Sequence, residues 1–195
     1  VRGTRENLRY ALDGDGHPVW TRQVGADTFT YGPTPAGEPD AFGASSTTLT
    51  ALYGENGSVA WRTGFDSQVF VHASPISTGD GQVVVVSLGN QHVAAVNVAT
   101  GDVEWTTKLG IEDAAFMPEP AVGDLTGDGT PEVVAVTRAG TATVLDPTTG
   151  AQLASYDRGV QVLVYPTLAD VDGDGADEIL VRYGDGRVAA LDYAA

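Results

Sequence analysis

The chain has 195 residues, with 26 Asp and Glu against 10 Lys and Arg, and a formal net charge of −16. A charge of that sign repels phosphate backbones and anionic lipid, which excludes nucleic acid and an anionic membrane surface as expected partners. The absence of cysteine excludes disulfides, thiolate metal sites and cysteine nucleophiles, so a metal must be held by oxygen ligands or by His17, His72 and His92.

Along the chain, the first pattern is Leu8-Arg-Tyr-Ala-Leu-Asp-Gly-Asp-Gly16, followed by Trp20. Short alternating runs on either side of an Asp-Gly turn predict two strands joined as a hairpin. Residues 31–40 hold three Pro and two Gly and read as an irregular loop inserted between strands. The hairpin then returns as Leu49-Thr-Ala-Leu-Tyr-Gly-Glu-Asn-Gly57 with Trp61, and as Val93-Ala-Ala-Val-Asn-Val-Ala-Thr-Gly101 with Trp105. A fourth copy, Ala142-Thr-Val-Leu-Asp-Pro-Thr-Thr-Gly150, has Ala154 in place of Trp, and a fifth begins at Val188. In the first four, the turn Gly precedes the Trp position by four residues, and successive Gly lie 41, 44 and 49 residues apart.

Further strand pairs are predicted upstream of the later hairpins, at 71–75 and 83–87, 116–122 and 132–137, and 162–168 and 178–182. Four short strands per repeat, with no amphipathic helical stretch, predict an all-β fold: a β-propeller of four-stranded antiparallel blades, four to five repeats in number. The expected division is a partial blade at 1–25, blades at about 26–65, 66–110 and 111–158, and an incomplete blade at 159–195. The first copy opens on a third-position strand, which gives about seventeen strands and favours an arc of a larger propeller over a closed small ring. Fixed places in the repeat assign Trp20, Trp61 and Trp105 to packing between blades rather than to a ligand platform.

Two acidic segments carry the readable chemistry: Asp124-Leu-Thr-Gly-Asp-Gly-Thr-Pro-Glu132 and Asp170-Val-Asp-Gly-Asp-Gly-Ala-Asp-Glu178. Positions 1, 3 and 5 of such a tight loop turn inward, the carbonyl at 7 faces the centre, and the carboxylate at 9 closes the shell. The candidate ligands are Asp124, Thr126, Asp128, the Thr130 carbonyl and Glu132, and then Asp170, Asp172, Asp174, the Ala176 carbonyl and Glu178. That oxygen set at flexible spacing suits Ca²⁺ better than Mg²⁺, so two Ca²⁺ sites are expected, the second tighter for its extra carboxylate. An EF-hand is excluded, because its closing Glu would fall on Ala135 or Val181 and both loops run into strands. Asp13-Gly-Asp-Gly16 imitates a metal loop but aligns with the hairpin turns.

The two loops, each set between strands, resemble the FG-GAP/VCBS calcium-binding repeats of integrin α-subunit propellers and secreted microbial proteins. The Leu-Asp…Gly…Trp units resemble the tryptophan-docking repeats of pyrroloquinoline-quinone-type propellers, though Ala154 and the extra Asp177 depart from these patterns. Together the resemblances imply a non-catalytic calcium-binding recognition, adhesion or scaffold module of a secreted or cell-surface protein, with a protein or glycan partner or further blades beside it. The 19 acids other than the seven candidate ligands, against a single lysine, Lys108, read as the surface of a salt-adapted protein. The alternatives are an enzyme on a quinoprotein-like or polysaccharide-active propeller, and an envelope assembly factor that binds peptide strands. No catalytic motif is found.

Overall fold

A computed structural model describes residues 2–3, 8–71, 73–109 and 119–193. Among these residues, nineteen strands form five antiparallel sheets that follow one another in chain order. Sheet one contains β1 (Arg2–Gly3), β2 (Leu8–Leu12) and β3 (Pro18–Gln23); sheet two contains β4 (Thr28–Tyr31), β5 (Ala41–Ser45), β6 (Thr48–Leu52) and β7 (Val59–Gly64). Sheet three contains β8 (Val69–Val71), β9 (Ile76–Thr78), β10 (Gly81–Leu88), β11 (His92–Asn97) and β12 (Val103–Lys108). Sheet four contains β13 (Ala121–Gly123), β14 (Glu132–Val136), β15 (Thr141–Leu145) and β16 (Gln152–Asp157), and sheet five β17 (Thr167–Ala169), β18 (Glu178–Arg182) and β19 (Val188–Leu191). These are the blades of a β-propeller. Among the described residues no helix is long and apolar enough to cross a membrane.

The excess over seventeen strands has two sources. Arg2–Gly3 pairs with β2, so a strand precedes the expected opening one. The strand expected at 71–75 is split: β8 and β9 both pair with β10, at opposite ends of it, with Pro75 between them. Proline cannot donate to a ladder, and it breaks the run there. The strand expected at 162–168 is shortened to β17, while Val162 makes only an isolated bridge to Tyr183. Of the strand expected at 116–122, residues 116–118 lie outside the described residues, as does His72.

Each inner strand packs both faces, since side chains alternate across a strand. Ala94 and Val96 of β11 join a core with Phe42, Leu49 and Ala51 of sheet two, whereas Val93 and Ala95 join one with Val133, Ala135 and Leu145 of sheet four. The tryptophans join neighbouring blades. Trp20 Nε1 donates to the Gly54 carbonyl at 2.6 Å, Trp61 Nε1 to Val98 at 2.8 Å and Trp105 Nε1 to Pro147 at 2.9 Å. Each indole lies against the turn glycine of the next sheet: a β-carbon at Gly57, Gly101 or Gly150 would sit 2.5–2.6 Å from a ring atom. These glycines also have φ of +69°, +80° and +69°, so bare space and a left-handed turn are required at one position.

Candidate functional site

The acidic loops connect the first and second strands of sheets four and five, β13 to β14 and β17 to β18. Both fold around their first aspartate. Asp124 Oδ1 accepts from the backbone N–H of Thr126, Gly127 and Asp128 at 3.2, 2.8 and 3.2 Å, and its Oδ2 from Gly129 at 2.7 Å. Asp170 accepts from Gly173 at 2.6 Å and Gly175 at 3.1 Å. The glycines at loop positions 4 and 6 all have positive φ, between +73° and +97°, which curls the backbone far enough for these bonds to form.

The closing glutamates turn inward and are buried. Glu132 Oε2 accepts from Leu125 N–H at 2.9 Å, and Glu178 Oε2 accepts from Val171 N–H at 2.8 Å. Loss of solvent raises the Glu132 carboxyl above its ordinary value; the Leu125 N–H opposes this, and the Asp128 and Asp124 charges add to it. Asp124 moves the other way: desolvation pushes it up, but the N–H donors of Gly129, Thr126, Gly127 and Asp128 together outweigh that and hold it below the usual carboxylate range.

In the second loop, Asp170, Asp172 and Asp174 each offer a carboxylate oxygen, and these oxygens lie within 4.8 Å of one another. A concentrated set of hard oxygens on a curled backbone fits a Ca²⁺ ion, with the Ala176 carbonyl and Glu178 as the remaining expected donors. The aspartates of both loops also accept backbone N–H: Asp128 from Thr130 at 2.7 Å, Asp172 from Asp174 at 3.2 Å and Asp174 from Ala176 at 2.9 Å. Thr126 Oγ1 lies 3.3 Å from Asp124 Oδ1, so the Thr hydroxyl and the carboxylate are adjacent. Asp13, Asp15 and His17 also lie close together, all exposed, but the Asp13 carboxylate serves the hairpin turn, accepting from Asp15 and His17 N–H.

Sequence reading missed that the two loops touch. Asp177 N–H donates to the Asp124 carbonyl at 2.7 Å, tying loop two to the first ligand residue of loop one. A β-carbon on Gly123 would lie 2.6 Å from the Asp177 carboxylate and 2.8 Å from Leu168, so a larger residue there would displace the ends of both side chains. Leu125, at loop position 2, is 1% exposed between the sheets, whereas its counterpart Val171 is 57% exposed. The signal lay at loop position 8, where the first loop has Pro131, which has no N–H, and the second has Asp177, which has one.

Residues 5–194 match the family model described as outer membrane protein assembly factor BamB. The chain belongs to that family. The pyrroloquinoline-quinone-type character of the repeats is thereby established, while the calcium-repeat resemblance rests on the two loops alone. The structure is similar to BamB from Moraxella catarrhalis, with a TM-score of 0.70 at 18% identity over 97% of this chain and 57% of that one. It is also similar to BBS1N in complex with ARL6DN, with a TM-score of 0.75 at 15% identity over 99% of this chain and 56% of that one. A quinohemoprotein alcohol dehydrogenase from Comamonas testosteroni aligns with a TM-score of 0.62 at 14% identity, over 97% of this chain and 39% of that one. At such identities the likeness is one of fold. The chain spans little more than half the length of the Moraxella protein. No protein of curated function matches it in sequence.

Proposed function

We propose that the chain is a non-catalytic, partner-binding propeller of the envelope-assembly kind, whose last two blades are braced by two Ca²⁺ ions. The family match over nearly the whole chain carries this reading, and it favours the assembly-factor alternative over adhesion. Location in the envelope follows from the same reading. The partner is an extended, strand-forming polypeptide segment. The outermost strands β3, β7, β12 and β16 each end their sheet and leave one edge open to β-augmentation. Three of them carry basic side chains that discourage pairing: Arg22 on β3, Arg62 on β7 and Lys108 on β12. The fourth, β16, has none and exposes Leu153 and Tyr156.

Calcium would contribute rigidity rather than chemistry. Held by the Asp170, Asp172 and Asp174 carboxylates and by the first loop's donors, it would neutralise the clustered acids and fix the strand connections on which β14 and β18 depend. The test is anisotropy of a labelled peptide with alternating apolar and polar residues, titrated with the chain in millimolar Ca²⁺. Saturable binding that Leu153→Lys and Tyr156→Lys weaken supports the proposal. No binding, or recovery of a quinone chromophore from the purified protein, overturns it.

A further inference from the structure

The interface between sheets one and two departs from the repeat toward positive charge. In sheets two and three the residue two beyond the docking Trp is a threonine: Thr63 Oγ1 donates to Gly101 O at 2.5 Å, and Thr107 Oγ1 to Gly150 O at 2.6 Å. In sheet one that position is Arg22, lying against Gly57. Across the hairpins, Leu49 pairs with Thr63 and Val93 with Thr107, but Arg9 pairs with Arg22. Directly opposed like charges are unfavourable on a sheet. From the other side, β7 presents Arg62 where β3, β12 and β16 carry Thr21, Thr106 and Ser155.

Arg22 and Arg62 line one cleft of about 440 Å³, within the range of small-molecule sites. Its polar lining includes Gln23, Ser46, Thr48 and Thr50 and no carboxylate. Among the described residues, neither Arg22 nor Arg62 has a hydrogen-bond or ion-pair partner, in a chain with 26 acids to choose from. Thr50 lies opposite Arg62 in the ladder, so the two side chains share the face toward sheet one. It is 7% exposed, and its hydroxyl likewise has no partner among the described residues. Two unpaired guanidinium groups and an unbonded hydroxyl on one cleft leave donors free for a ligand that supplies acceptors.

We propose that this cleft binds a small oxyanion, a carboxylate or phosphate group on a compact ligand, through Arg22, Arg62 and the Thr50 hydroxyl. Guanidinium forks match both groups in bidentate geometry. The net charge of −16 would repel a polyanion, so the ligand carries one or two negative charges. The site is independent of the calcium loops and of the β16 edge.

The experiment is calorimetric titration of the intact chain with sodium phosphate and, separately, sodium succinate, at constant ionic strength. Saturable binding of either probe, weakened roughly ten-fold or more by Arg22→Gln and by Arg62→Gln and retained in Thr50→Ser, is expected. A response to phosphate alone assigns a phosphate ligand and a response to succinate alone a carboxylate. Both arginines are exposed, so their variants keep the fold, which circular dichroism checks. Failure of both probes to saturate below roughly 10 mM, or unchanged affinity in both arginine variants, would overturn the proposal.

Discussion

The first and last interfaces of the molecule depart from the same repeat in opposite directions. Between sheets one and two, Trp20 docks on Gly57 and arginine replaces neutral residues around it. Between sheets four and five, Ala154 stands where a docking Trp belongs, and two acidic loops stack through Asp177 and Gly123. The repeat supplies a frame at both places. One interface carries a docked indole and gathers positive charge; the other lacks it, packs Val134, Val136 and Val144 against Ile179 and Val181, and gathers negative charge in its stacked loops.

The sharpest way to break this comparison is to remove the indole. Trp20→Ala should cost about 3–5 kcal/mol in urea unfolding, the usual range for a buried Trp. At the equivalent position of the last interface, Ala154→Gly should cost only about 0.5–1 kcal/mol, the backbone-entropy effect of glycine in a strand. Similar losses at both positions would mean that the two interfaces are held in the same way.

Calcium should act at the last interface only. Adding Ca²⁺ to chelated protein at about 100-fold over its dissociation constant should stabilise it by about 2.7 kcal/mol per site, read as a rise in melting temperature. Asp172→Ala should remove the contribution of the second loop, and Asp128→Ala that of the first. An unchanged melting temperature would show that the loops are turns without metal.

Loop stacking should respond next. Gly123→Ala would place a methyl group against Asp177 and Leu168, and should cost about 1–3 kcal/mol in the same unfolding assay. Equal stability would show that the loops separate at no cost.

The smallest effect concerns acid. Arg158 pairs with Asp185 across the last interface at 2.8 Å and lies 4.6 Å from the centre of the Tyr183 ring. The Arg158 hydrogen bond, helped by the Arg187 N–H, holds the Asp185 carboxyl below its ordinary value. A depressed folded-state value means stability that is present above the unfolded carboxylate range and is lost as pH falls through the folded value. Asp185→Asn should therefore make the acid limb of the stability curve shallower, by little, because the pair is solvated. A steeper limb would reverse the assignment.

Much of this comparison was readable in advance, and the boundary is physical. The packing of the tryptophans between blades was legible because Trp20, Trp61 and Trp105 each follow a turn Gly by four residues, and a repeated local pattern needs a repeated contact. The acidic loops were legible because a curled loop's donors are adjacent in sequence. The split of β8 and β9 was carried by Pro75 within the run expected at 71–75. The Asp177 bond to Asp124 and the arginine cleft were not legible, because each joins residues about one blade apart whose meeting depends on how two sheets stack.

By itself, the sequence determined the strand-and-turn unit, its recurrence along the chain, the place of the tryptophans in it and the positions of the two acidic loops. All of these follow from periods and spacings within a single repeat. Only the tertiary structure decided that the loops lean on each other, that β16 ends its sheet with Leu153 and Tyr156 exposed, and that Arg22 and Arg62 line one cleft with a buried Thr50. Those relations arise between repeats, where packing of whole sheets sets the distance and no local spacing records it.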